Sequence, residues 1–129
     1  MLAVIGILSI LLAIAVPRYN AWRAANALQS ATETLMAHIK QARIMAVTGN
    51  RDVSIVFTAA GYTVDSAGTQ PQQYTLSVYR GGLGLSYTAT PLTFNSNGTS
   101  GTETVTLTDA DGDTRTIKVN YVGRAYYYP

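Results

Sequence analysis

The first sixteen residues, Met1–Val16, read MLAVIGILSILLAIAV and carry no charged side chain. Only Gly6 and Ser9 interrupt the apolar residues. Ten of the sixteen are Leu, Ile or Val, and together these favour a bilayer centre by about −3 to −6 kcal/mol. As a helix the segment spans about 24 Å, roughly one turn short of a hydrocarbon core about 30 Å thick. The chain is therefore expected to begin a few residues late.

Such a segment has three physical fates. A helix apolar on every face can be buried in a soluble core only by a large protein, and the 129 residues of this chain leave too few to enclose it. A cleaved signal peptide is suggested by Ala13-Ile14-Ala15, a small-x-small site. However, no basic residue precedes the apolar run, and the helical pattern continues past the cut. The third fate, a membrane-inserted helix that runs on into a polar domain, fits best. Pro17 removes one hydrogen bond and crowds the preceding turn, which predicts a bend where the helix leaves the membrane. Arg18, Tyr19, Trp22 and Arg23 come next, the basic and aromatic residues of an interfacial anchor.

Helical periodicity persists beyond Pro17. Leu28, Thr32, Leu35, Ile39, Ala42 and Ala46 recur at steps of four and three, one stripe along a helix. Gly49-Asn50 supplies a left-handed stop. A near-continuous helix from Met1 to about Thr48 would be about 72 Å long. Residues 18–51 carry Arg18, Arg23, Lys40, Arg43 and Arg51 against Glu33 alone; solvated helix faces are expected, with attraction to lipid headgroups or acidic neighbours as the alternative. His38 adjoins the stripe and is assigned no chemistry.

After Asn50 the period falls to two. Val53–Phe57 and Tyr62–Val64 read as strands about Ala59-Ala60-Gly61, and Tyr74–Tyr79 as a third. Gly81, Gly82 and Gly84 break the chain before Leu85–Tyr87, and Leu92–Phe94 is followed by the turn-rich Asn95–Gly98. Val105–Leu107 and Ile117–Tyr121 flank a Gly-containing hairpin loop, with Val105, Leu107, Ile117, Val119 and Tyr121 expected to face inward. The half-apolar sheet needs a cover, and the stripe Leu28–Ala46 is the partner at hand. The fold class is α+β: a long N-terminal helix packed on an antiparallel β-sheet. The chain divides into three segments: 1–17, a transmembrane helix; 18–50, an amphipathic helix; and 51–129, a β-rich head.

Little chemistry is available. Cysteine is absent and His38 is the single histidine, which removes disulfides, thiolate metal sites and a Cys nucleophile. There is no phosphate-cradling glycine motif. Asp109, Asp111 and Asp113 alternate as at the start of an EF-hand loop, but the glycine comes early and the twelfth position is Asn120. A solvated hairpin turn is expected there, with a weak calcium site as the alternative. No enzyme activity, cofactor or small-molecule substrate is expected.

An apolar helix ending Ala13-Ile14-Ala15-Val16-Pro17-Arg18-Tyr19 and running into an amphipathic helix resembles the N-terminal segment of type IV pilins and type II secretion pseudopilins. In that family a glutamate and the processed N-terminal residue precede the position of Met1. Gln41–Ala46, Asn50–Val53, Leu92–Gly98 and Gly123-Arg124 resemble the GspH/FimT-type minor pseudopilins. The resemblance implies a pilin-like fold and structural work. Subunits wait in the bacterial inner membrane, single-pass with the head in the periplasm, and then enter a pilus or pseudopilus filament. The partners implied are other pilin subunits and the membrane, met through the helix that carries Leu2, Ile5, Leu8, Leu12, Val16 and Pro17. Some FimT-like members are associated with DNA uptake and carry a Gly-Arg-x-Arg tail. Here Arg124 keeps the first cation and Tyr126 replaces the second, so DNA contact through Arg124 is the alternative function.

Overall fold

A computed structural model of the chain describes residues 1–80 and 82–129; the expected break at Gly81 lies outside the described residues. One α-helix, α1, runs from Leu2 to Gly49 and passes through Pro17 without interruption. Its 48 residues give a rod about 72 Å long. The helix ends where Asn50 takes a left-handed conformation, φ 47° and ψ 47°, and its backbone N–H reaches the carbonyls of Ala46 and Val47. Asn tolerates this conformation better than a β-branched residue does.

The strands are β1 (Val53–Thr58), β2 (Gly61–Ser66), β3 (Gln72–Thr75), β4 (Gly84–Tyr87), β5 (Leu92–Phe94), β6 (Glu103–Thr108), β7 (Thr114–Val119) and β8 (Ala125–Tyr128). They form two four-stranded sheets, ordered β3-β2-β1-β5 and β4-β6-β7-β8, with the paired strands antiparallel. This corrects the expectation of one sheet. The chain changes sheets at β4 and returns at β5, so one helix stripe packs on strands of both.

All the stripe residues, Leu28, Thr32, Leu35, Ile39, Ala42 and Ala46, are buried. They meet Val53, Ile55 and Phe57 of β1, Leu92 and Phe94 of β5, Val105 and Leu107 of β6, and Ile117 and Val119 of β7 in one core. Thr32, the polar member, donates its hydroxyl to the Leu28 carbonyl at 2.6 Å, which satisfies the buried oxygen within the helix itself.

Two local expectations are corrected. Tyr74–Tyr79 is not one strand: it turns at Leu76–Val78 into a short 3-10 segment. The Leu76 amide donates to the Ala60 carbonyl at 2.8 Å while its side chain enters the core. Tyr121 does not face inward and is 69% exposed. β7 ends at Val119, and the next residues form a tight turn in which the Gly123 amide donates to the Asn120 carbonyl at 2.8 Å. That turn swings Tyr121 outward and sends the Tyr-rich terminus back along β7 as β8, a strand that periodicity did not reveal.

Candidate functional site

The helix residues singled out in the sequence lie on the front of α1. Every residue from Met1 to Trp22 is exposed, whereas from Ala24 onward the helix turns its stripe into the core. Leu2, Ile5, Leu8, Leu12 and Val16 are each more than half exposed, from 53% at Leu8 to 87% at Leu2. The residues between them are equally bare, so the rod is apolar on all sides. Its one hydroxyl, Ser9, donates to the Ile5 carbonyl at 2.8 Å and so hides its polarity. A methyl group at Gly6 would meet nothing within 4 Å. This helix is long and apolar enough to cross a membrane. Contiguous apolar surface on this scale marks a membrane or protein contact.

Past Pro17 the helix presents aromatic and basic side chains. Tyr19 and Trp22 lie tilted toward each other with ring centroids 6.1 Å apart, and the Arg23 guanidinium lies 5.6 Å from the Tyr19 ring centre. A cation over an aromatic face gains electrostatic attraction.

The rear of α1 is fastened to the head by polar contacts as well as by the stripe. Arg43 Nε donates to the Gly98 carbonyl at 3.1 Å. The Tyr79 hydroxyl and the Thr34 hydroxyl are 3.1 Å apart. His38 Nδ1 lies 2.6 Å from the Tyr62 hydroxyl, and its ring lies tilted against that of Tyr74 with centroids 4.1 Å apart. Burial lowers the His38 pKa below 6.5. Burial first, and then Tyr79 and Tyr74, push the Tyr62 hydroxyl well above its usual range. Helix and head are thereby joined over several turns.

The acidic loop is put to internal use. Asp109 is buried, and its Oδ1 accepts from the amides of Asp111 at 3.0 Å and Asp113 at 2.9 Å. Asp111 and Asp113 stay exposed. Among the described residues no group of three His, Cys, Asp or Glu side chains could hold a metal ion. Through its contacts with the Asp111 and Asp113 amides, Asp109 closes the β6–β7 turn.

Arg124 is exposed and lines a cleft of about 390 Å³ with Lys40, Arg43, Ile44, Gly123, Ala125 and Tyr126. The fold thus brings Arg124 close to two helix cations, one of which is partly committed to Gly98. Arg43, Tyr62 and Tyr79 were not legible as a seam, because their partners lie 24 to 55 residues away.

A helix bare in front and packed behind on paired antiparallel sheets defines a pilin-like subunit. Residues 31–123 match the family described as "Type II transport protein GspH", and the chain belongs to that family. Among solved structures it is similar to the type IV minor pilin FimU of Pseudomonas aeruginosa, with 25% identity and a TM-score of 0.62, covering 81% of this chain and 90% of that one. It also shares its fold with the minor pseudopilin EpsH from the type 2 secretion system of Vibrio cholerae, with 12% identity and a TM-score of 0.63, covering 78% of this chain and 95% of that one. No curated protein sequence matches it. Family and fold together make the chain a structural subunit of the minor pilin or pseudopilin type. The family is generally non-enzymatic, and neither comparison supports the DNA-binding alternative.

Proposed function

We propose that residues 1–17 hold this subunit in the bacterial inner membrane as a single span, with the head on the periplasmic side, and then carry it into a filament core. The observation behind this is the unbroken passage from a bare apolar rod to a buried stripe within one helix. Leu2, Ile5, Leu8, Leu12, Val16 and Pro17 face lipid first and neighbouring helices afterwards. Lipid tails and helix side chains are similarly apolar, so the exchange costs little, and packing and van der Waals contact decide it. Residues 18–50 couple that rod to the head, residues 51–129, whose outer surface meets other subunits.

The chain has no cysteine, which permits a clean test. With Leu8→Cys as the sole thiol, a water-soluble maleimide is expected to leave membrane-held subunits unlabelled, and a short bifunctional thiol reagent to link neighbours in filaments. Full labelling in intact membranes would overturn the proposal. Deletion of residues 1–23 is expected to abolish filament entry.

A further inference from the structure

We infer that Arg23 and Arg80 together clamp the phosphate of an anionic phospholipid headgroup, so that the head as well as the helix rests on the membrane. The two arginines line one cleft of about 220 Å³, completed by Asn20 and Ala24, with no carboxylate among the lining residues. Arg80 lies far from the helix in sequence. It is brought there by the turn at Leu76–Val78, by burial of Leu76, and by the contact between the Tyr79 and Thr34 hydroxyls. Arg23 is half-buried and rests against Tyr19.

Two guanidiniums on one cleft repel each other unless an anion joins them. Their planar forks match phosphate oxygens two at a time. The cleft also stands at the right height. If the hydrocarbon boundary lies at Val16, the headgroup layer occupies the next 5–7 Å or so. Asn20 lies about 6 Å beyond Val16 along the axis and Arg23 about 10 Å. Helical side chains lean toward the N-terminus, and a long arginine reaches back toward the interface. Exposed Tyr19 and Trp22 sit at the same level, where amphipathic rings collect. A free phosphate ion offers the same oxygens, but height and aromatic flanks favour the lipid.

The inference rests on the proposal that residues 1–17 lie in the membrane, and the two are tested separately. Flotation of the full chain with phosphatidylcholine vesicles tests the span alone: a chain left in the dense fraction would overturn the anchor. For the clamp, the full chain in neutral detergent micelles is titrated with phosphatidylglycerol, phosphatidylcholine or inorganic phosphate. The emission of Trp22, the single tryptophan, is the readout. A saturable change with phosphatidylglycerol alone is expected. Arg80→Gln is expected to raise its half-saturation about fivefold, the worth of one cation near an anionic surface. Arg115→Gln, an exposed cation outside the cleft, is expected to leave the curve in place. Equal response to phosphatidylcholine, competition by inorganic phosphate, an unchanged Arg80→Gln curve, or an equal shift with Arg115→Gln would each overturn the clamp.

Discussion

Gly123 approaches the Gly98 carbonyl so closely that a Cβ on Gly123 would stand 2.1 Å from that oxygen and 3.0 Å from Arg43 Nε. Gly98 is the residue whose carbonyl Arg43 binds. Two turns and the rear of α1 thus meet at a point where no side chain fits. Both glycines also need positive φ, 84° at Gly98 and 77° at Gly123.

Gly123→Ala should therefore cost about 3 kcal/mol, combining left-handed strain with displaced backbone. Gly112 has φ 90° but open space around its Cα. Gly112→Ala should cost only about 1 kcal/mol. Chemical denaturation of both variants separates crowding from strain, and equal losses would show that the contact with Gly98 contributes nothing.

Glu103 is buried on β6, and its carboxylate accepts from the Thr88 amide at 2.7 Å, the Thr88 hydroxyl at 2.8 Å and the Ala89 amide at 2.9 Å. Glu103→Ala strands these donors and should cost about 3 kcal/mol. Faster amide exchange at Thr88 and Ala89 checks that the loss is local to that loop.

His38 predicts an acid-side weakness. Its folded pKa lies below the ordinary 6.5 because burial disfavours the charged ring. The unfolded chain then binds the proton more readily, so this contribution is complete above pH 6.5 and is lost as pH falls through the folded value. Tyr62, raised by burial, mirrors it on the alkaline side of its ordinary 10.0. Melting temperature should drop between pH 7 and pH 5 in the natural chain and drop less in His38→Gln; parallel curves would show that His38 contributes nothing to the acid-side loss.

Leu8→Arg places a charge halfway along the bare rod. A central arginine costs about 2.5–3.5 kcal/mol against a total drive of about −3 to −6 kcal/mol. Much of the protein should shift from the carbonate-resistant membrane fraction to the extractable one. Unchanged membrane retention would argue against residues 1–17 as the span.

Much of the architecture was written in local periodicity. The stripe Leu28–Ala46 is buried as its spacing required, and Asn50 ends the helix as Gly49-Asn50 implied. The uncharged run Met1–Val16 and the family likeness identified the structural role before any coordinate. These signals are legible because helix period, strand alternation and capping depend on neighbours within a few residues.

Other features required the folded chain. The division into two sheets, the outward turn of Tyr121 and the β8 strand depend on which distant edges find partners. The Arg43–Gly98 seam, the His38–Tyr62 contact and the placing of Arg80 beside Arg23 join residues 24 or more positions apart. The linear order of residues determined that this protein would pair an oily rod with a polar head, because transfer free energy and helix period are local sums. Only tertiary packing decided which side chains meet across the core and along the Arg23–Arg80 cleft, because those contacts arise from how sheets and helix close on one another.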